Sequence, residues 1–507
     1  MHRTLSLERP WYILSLALLP LVRFFETNFE HVPLGDGVRF LLILLLGNIL
    51  LTLVTARIWG GPGRGALVAA PWIVVATFGH ALGVAVSLAL VGIGIAVGAV
   101  LLRWRGHPGP LTVVLNFVLL ALVMFPFVAT LKAMASKTPP IPTALHETPL
   151  LPAGVTAGAT LPDIYYIMVD GLGQPDFLEQ AYRLPRDEIA GGFEALGFRF
   201  AEFSRCNYNQ TALSQAATLN AAPVQTLLSI PDPNDRDRHQ LARLIGDSRV
   251  RRALQGLGYR TVDFPSGYPI TRMGGGARRH EPTINPNLLE YHLLRDGALP
   301  LIQRLLGRGP ADLSYAMRRG RLEYIFDHLA DARDGLPDTT PVFVYAHIMA
   351  PHPPFVFDQD GAALPSRRAF SYRDGSHWHR WHGEDESYPD LYRGQVRYVT
   401  RRLVDAVVAI LAASPRPPVI IIQGDHGPGA QTAWEDARLT NHTERMSIFN
   451  AWLLPTPSGN IPRADLSAIN TFPVLFNELF DAGIQERPER FWFARNSVPL
   501  TFQEIGE

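Results

Sequence analysis

One cysteine, Cys206, stands in a chain of 507 residues, so no disulfide can close within it and its thiol content suits either redox compartment. Charge of one sign is missing too: 46 Lys and Arg balance 46 Asp and Glu, for a formal net charge of zero. A nucleic-acid partner calls for a cationic surface, and this balance gives no reason to expect one. No long internal repeat is present. What the chain does have is a large apolar share, 47% of its residues, concentrated before about residue 131.

Five apolar stretches, 11–25, 38–58, 64–81, 84–102 and 111–131, each approach the roughly 20 residues a helix needs to cross a bilayer. The first contains Pro20 and Arg23 and invites a signal-peptide reading. It lacks a small-residue cleavage site and further spans follow, so it reads as retained. Arg3, Arg9, Arg57, Arg64, Arg103 and Arg105 fall on one side of these spans, and Glu26, Glu30 and Asp36 fall in the first loop on the other. The positive-inside rule then puts the N-terminus in the cytoplasm and, after five crossings, everything beyond Lys132 outside it. The expected organisation is a transmembrane domain over 1–135, a Pro, Thr and Ala-rich extended linker over 136–160, and one extracytoplasmic domain over 161–507.

In that last domain, strand-like runs at Ile164–Val169, Tyr259–Phe264, Val342–Ala346, Val419–Ile422 and Ile448–Leu454 alternate with helical stretches such as Gly320–Ala332 and Leu391–Ala413. Alternation of this kind predicts an α/β domain with a mostly parallel sheet. Two of the runs end in chemistry. Val419–Ile422 leads into Gly424-Asp425-His426-Gly427, where a turn past the strand end can aim a carboxylate and an imidazole at one cation; such pairs also occur in ordinary turns. Ile164–Val169 leads into Asp170-Gly171, where Asp170 either caps the next helix or joins Asp425 at the carboxyl edge of the sheet. Between them Asn209-Gln210-Thr211-Ala212-Leu213-Ser214 passes from loop into helix. Thr211 there is either an N-cap or a hydroxyl nucleophile at a helix end that favours anionic oxygen.

These segments, with His347 to Phe355 (His-Ile-Met-Ala-Pro-His-Pro-Pro-Phe) and Glu444-Arg445-Met446-Ser447-Ile448, resemble the alkaline phosphatase and sulfatase superfamily. The resemblance is to its membrane-anchored branch of lipoteichoic acid synthases and phosphoethanolamine transferases, from about Pro162 to about Gly483. It implies one catalytic divalent metal held by Asp170, Thr211, Asp425 and His426, with Zn²⁺ the first expectation and Mn²⁺ or Mg²⁺ open. It also implies His352 beside the transferred group, as a phosphate contact or a proton donor to the leaving oxygen. His347 and His442 are further substrate-side residues, and His347 has an alternative place behind the ligands. By the same resemblance, Thr211 takes a phosphoryl-linked headgroup from a membrane phospholipid donor and passes it to an envelope glycan or lipid acceptor.

Departures from the superfamily narrow the choice. Sulfatases need Cys or Ser in a C/S-x-P-x-R motif, but Tyr208 and Gln210 follow Cys206 where Pro and Arg belong, so Cys206 reads as a small buried hydrophobe. The additional Asp and two His of two-metal relatives cannot be assigned, which favours one metal. His377, His379 and His382 alternate with Trp378 and Trp381 and suit an exposed substrate loop as well as a metal. A phosphatase or phosphodiesterase would use the same Thr and metal with water as acceptor. A sulfuric-ester hydrolase would need a different nucleophile, and a membrane-tethered protein with a relic site would need none.

Overall fold

In the computed structural model the described residues are 7–28, 35–104, 106–135, 141–155, 161–234, 236, 238–283, 286–306, 312–365, 368, 370–383, 387–455 and 461–506. Arg3, Glu30 and Arg105, used above to orient the spans, lie outside them, as do 136–140 and 156–160 of the expected linker. The chain folds as two compact units. The first comprises Met1–Thr138, Pro286–Tyr315 and Ser366–Phe370, and the second Pro139–Asn285, Ala316–Pro365 and Ser371–Glu507.

The first unit is built on helices α1 (Tyr12–Asn28), α2 (Asp36–Trp59), α3 (Pro62–Leu82), α4 (Val84–Arg103) and α5 (Gly109–Ala135). By length and composition, α2, α3, α4 and α5 can cross a membrane. α1 is shorter, at 17 residues with Pro20 inside it, about 26 Å of helix against about 30 Å of hydrocarbon. Leu42, Leu46, Leu50 and Leu53 stand exposed along α2, an apolar surface that is stable against lipid chains rather than water.

Polar side chains inside this unit bond to backbone carbonyls, which is how such groups are satisfied in hydrocarbon. Asn48 Nδ2 reaches Ile13 O at 3.3 Å, Thr55 Oγ1 reaches Gly65 O at 2.9 Å, and Ser87 Oγ reaches Gly79 O at 2.8 Å. Asn116 Oδ1 accepts from Tyr12 N at 2.8 Å while its Nδ2 donates to Leu7 and Arg9 carbonyls. These contacts make α1 to α4 alternate in direction and start α5 beside the start of α1. Gly83, at φ 84, reverses the chain between α3 and α4 with no other intervening residue.

Two later stretches of sequence, beyond the expected membrane domain, belong to this unit. The helix Leu288–Asp296 opens with a capping box between Asn287 and Glu290. Arg39 holds Glu290 in a two-pronged pair at 2.6 and 2.5 Å, and Leu289 is buried with Phe24, Phe40 and Leu44. The next helix, Ala298–Leu305, follows Gly297, where a Cβ would lie 2.6 Å from Ala76 O.

In the second unit, residues 141–155 of the expected linker are packed. Strand β1 (Ile141–Pro142) pairs with β4 (Leu228–Ser229), and Leu150 is buried in the main core. A seven-stranded sheet runs β3 (Arg199–Phe200), β9 (Asn450–Leu453), β8 (Val419–Gly424), β2 (Ile164–Val169), β7 (Val342–Ile348), β5 (Arg260–Phe264), β6 (Arg278–Arg279). β10 (Phe491–Arg495) and β11 (Val498–Ile505) form a separate hairpin. β8, β2, β7, β5 and β6 are parallel, while β9 and β3 add an antiparallel edge. The expected α/β domain with a mostly parallel sheet is therefore present.

Every residue of β2, β7 and β8 is buried, as a parallel sheet covered on both faces requires. Alternate residues Ile164, Tyr166 and Met168 share a core with Leu213, Ala216 and Ala217 of the helix Thr211–Asn220 and with Leu475 and Phe476. Asp163 ties the starts of the three central strands together. Its Oδ1 accepts from Val342 N at 3.0 Å, its carbonyl accepts from Val419 N at 2.8 Å, and Arg333 Nη1 lies 2.7 Å from both carboxylate oxygens. Asp163→Ala leaves the largely buried Arg333 without its partner, an expected loss of about 3–5 kcal/mol. Urea unfolding of the full chain in detergent should show a lowered midpoint; an unchanged one would mean that this pair does not hold the strand starts.

Candidate metal centre and active site

The strand register brings the expected ligands together. Val169 of β2 is level with Ile348 of β7 and with Gly424 of β8, so Asp170 and Asp425 leave adjacent strands at the same height, on chains about 4.8 Å apart. The loop after β8 lies against backbone on both sides. A Cβ on Gly424 would come 2.3 Å from Leu172 O, and one on Gly427 would come 2.0 Å from Glu444 O. Only glycine fits at these two positions, and the close approach turns Asp425 and His426 inward together. Gly171 N and His426 N both donate to Asp425 Oδ1, at 3.0 and 2.9 Å.

Asp170, Asp425 and His426 are fully buried, and one ligand atom from each lies within 4.8 Å of the others. His426 Nε2 is 3.4 Å from Asp170 Oδ1, 3.5 Å from Asp425 Oδ2 and 3.1 Å from Thr211 Oγ1. Its Nδ1 sits 2.9 Å from Gly427 O, which makes Nδ1 the proton-bearing nitrogen and leaves a lone pair on Nε2. Burial, with Arg445 nearby, pushes His426 down to about 3, so the ring is neutral. Burial, with Asp170 opposite, pushes Asp425 well above the usual carboxylate range. Burial acts on Asp170 in the same sense, but His352, His347 and His426 outweigh it and hold Asp170 below that range. Asp170 Oδ1 and Asp425 Oδ2 have no hydrogen-bond partner among the described residues. Two buried acceptor oxygens without donors beside an imidazole lone pair fit a divalent cation.

Thr211 opens the helix Thr211–Asn220, after Gln210 in extended conformation, and its hydroxyl faces His426. His347, at the end of β7, is buried behind Asp170: Nε2 lies 3.4 Å from Asp170 Oδ2, and Nδ1 lies 2.8 Å from Thr271 Oγ1. His352 lies on the near side, its N bonded to Asp170 O at 3.0 Å and its ring 6.1 Å from that of His426. His442 is not brought into this group; its half-buried ring packs on Phe493 at 5.9 Å. His377, His379 and His382 lie on the helix Gly375–His382, with His379 Nε2 2.7 Å from Ala430 O and His382 Nδ1 3.0 Å from Trp378 O. Cys206 is buried, and burial pushes its thiol up to about 12, so it is no nucleophile at neutral pH.

Two residues of the site carry no role that the sequence alone assigns. Arg445 is buried with Nη2 3.1 Å from His426 Nε2, Nη1 2.9 Å from Asp374 Oδ2, and Nε donating to Asn209 O at 2.9 Å. Asp374 also accepts from Tyr388 OH at 2.9 Å and lies 3.8 Å from His352 Nε2. A guanidinium aimed at the cluster and a carboxylate between it and His352 form one connected polar network. Arg445 belongs to the Glu-Arg-Met-Ser-Ile segment of the resemblance, whereas Asp374 has no signal beyond an Asp-Gly pair in a long loop.

No family model and no curated protein matches the sequence. Solved structures similar to the chain include the integral membrane lipooligosaccharide phosphoethanolamine transferase A (EptA) from Neisseria meningitidis. It is 11% identical, with a TM-score of 0.40, over 93% of this chain and 96% of that one. The periplasmic domain of phosphoethanolamine transferase EptC from Campylobacter jejuni matches at 11% identity and TM-score 0.36, over 69% of this chain and 96% of its own. The phosphonate monoester hydrolase of Agrobacterium radiobacter matches at 13% and 0.38, over 66% and 80%. At such identities and TM-scores the functional argument rests on the side chains.

Arg445→Ala, with the buried donor set intact, should keep its divalent cation by elemental analysis. If the site transfers phosphoryl groups, cleavage of a p-nitrophenyl phosphodiester should fall about 100-fold in this variant, the scale for removing a preorganised donor from a developing oxyanion. Undiminished cleavage would remove Arg445 from the site.

Proposed function

We propose that the chain is a membrane-anchored, metal-dependent transferase that moves a phosphoryl-linked headgroup from a membrane phospholipid to an envelope glycan or lipid, with Thr211 as nucleophile. The observation that carries the reading is the Thr211 hydroxyl, 3.1 Å from His426 Nε2 at a helix start, beside two buried carboxylates. Asp170, Asp425, His426 and Thr211 would hold the cation, with Zn²⁺ first and Mn²⁺ or Mg²⁺ as alternatives. When bound, the cation supplies positive charge that favours an ionised hydroxyl and neutralises phosphoryl oxygens.

Thr211 Oγ attacks phosphorus, forming a Thr–O–P bond as the bond from phosphorus to the lipid's glycerol oxygen breaks. His352 donates a proton to that leaving oxygen. Arg445 pairs with a phosphoryl oxygen, and Asp374 orients both Arg445 and His352. The acceptor hydroxyl then attacks the phosphothreonine, gives its proton back to His352, and frees Thr211. His347 steadies Asp170 from behind. His442, set apart against Phe493, would meet only an extended acceptor. The apolar helices of the first unit give the reading its lipid donor, because a soluble substrate needs no such anchor.

The test is peptide mass spectrometry of the full chain after brief incubation with phospholipid. A phosphoryl adduct is expected on Thr211, lost in Thr211→Ala together with turnover, whereas Ser214→Ala and Cys206→Ala stay active. An adduct on Ser214, or an active Thr211→Ala, contradicts the mechanism. Release of free headgroup in the presence of a glycan acceptor would instead mark a hydrolase.

We place the N-terminus in the cytoplasm and the second unit on the periplasmic or extracellular side of the cell membrane. The alternating directions of α1 to α4, and the common start of α1 and α5, agree with the arginine distribution. A phosphatase reporter fused after Ala135 should be active and one fused after Arg64 inactive; the reverse pattern would reject this topology.

A further inference from the structure

His352 stands among Pro351, Pro353 and Pro354, none of which has an N–H, so a regular backbone ladder cannot hold this stretch. The one donor inside it, His352 N, is spent on Asp170 O at 3.0 Å. The ring takes its direction from the same stretch. Nδ1 lies 2.6 Å from Pro353 O, which makes Nδ1 a proton-bearing nitrogen and leaves Nε2 on the side of Asp374, 3.8 Å away. Where Nε2 points is therefore decided by the path of the backbone around His352.

One side chain grips that path at both ends. Gln395, fully buried, donates from Nε2 to Pro351 O at 3.1 Å and accepts at Oε1 from Val356 N at 2.7 Å and Phe357 N at 3.2 Å. A primary amide offers donor and acceptor in one plane, so its width sets the spacing between the carbonyl before His352 and the N–H groups beyond it. Arg318 adds a hold from another side, with Nη2 bonded to Met349 O and 3.3 Å from His352 O.

Gln395 is itself tied to the metal-ligand loops. It lies on the helix Tyr388–Ala413, about one turn past Tyr392 and two past Tyr388, and all three are buried. Tyr392 OH donates to Gly171 O at 2.8 Å and accepts from Gly173 N at 3.2 Å, which docks the helix on the loop that carries Asp170. Tyr388 OH donates to Asp374 Oδ1 at 2.9 Å and accepts from Gly429 N at 3.0 Å, just past His426. A backbone N–H can only donate, so each hydroxyl's own proton is committed to its carbonyl or carboxylate. One helix thus holds the loops of Asp170, His352 and His426 at fixed separations.

We propose that Gln395 is a positioning residue for proton transfer at His352, holding the imidazole at the distance from Asp170, Asp425 and His426 where its proton reaches the leaving oxygen. The inference rests on His352 as proton donor and adds what aims that donor. The three bonds of Gln395 all go to backbone, so it acts on the reaction through His352 alone. An alkoxide leaves with the proton from His352, whereas p-nitrophenolate leaves as the anion at neutral pH. A side chain that only satisfied buried backbone would, when replaced, slow both leaving groups alike; one that aims the acid slows the alkoxide selectively.

The test follows the Thr211 adduct over the first turnover, by peptide mass spectrometry of the full chain in detergent. Two donors are compared, a mixed membrane phospholipid extract and bis(p-nitrophenyl) phosphate. Gln395→Leu, of similar size, should slow adduct formation from phospholipid about 100-fold, the scale of a misplaced catalytic group, and from the p-nitrophenyl ester by about threefold at most. Both rates come from one preparation, so their ratio does not depend on the fraction that folds. Gln395→Glu, which keeps the acceptor for Val356 and Phe357, should recover part of the phospholipid rate, and His352→Ala should show the same selectivity for the leaving group. Equal losses with both donors in Gln395→Leu, complete loss included, or an undiminished phospholipid rate, overturn the inference and leave a selective His352→Ala standing. A His352→Ala without selectivity, or no adduct in the wild type, rejects the proposed chemistry and this inference with it.

Discussion

Two carboxylates buried against each other with no cation between them repel, and the rest of the second unit is arranged around that fact. Asp170 and Asp425 leave neighbouring parallel strands at one level, and both are fully enclosed. Burial drives Asp425 far above its ordinary range while three histidines hold Asp170 below it. A protein gains nothing in stability from such a pair, which costs several kcal/mol unless neutralised. Its retention beside a neutral imidazole makes sense as a site that a divalent cation completes.

That arrangement needs a sheet with a fixed register, because a slip of one residue would turn either aspartate to the opposite face. Register is secured at the far ends of the strands by Asp163 and Arg333, and near the site by the Asp170 N to Ile348 O bond and the close-packed Gly424 and Gly427. The helix Thr211–Asn220 packs on the same sheet through Leu213, Ala216 and Ala217, and this packing sets Thr211 at the carboxyl edge. Core packing and site geometry are thus one constraint.

Much of this was legible in the sequence. Strand ends at Val169 and Gly424 follow from β-branched and apolar runs stopping at Asp-Gly and Gly-Asp-His-Gly, a local signal. Asp374 and the direction of Arg445 were not legible, since both depend on how a long loop folds back over the site, and loop shape has no periodicity to read. His442 illustrates the converse: the family resemblance implied a place on the substrate side, and the short helix His442–Met446 sets it against Phe493 instead. The return of residues 286–305 to the membrane helices was hidden for a similar reason. Leu289 and Glu290 resemble any amphipathic helix until Phe24, Phe40 and Arg39 are seen beside them.

Under the proposed function, this carboxylate pair and His426 hold one divalent cation next to Thr211. An anomalous-scattering crystal structure of the full chain purified with Zn²⁺ tests it most directly. A single strong peak bounded by Asp170, Thr211, Asp425 and His426 Nε2 is expected; no peak there, or a cation held without both aspartates, would rule out this metal site.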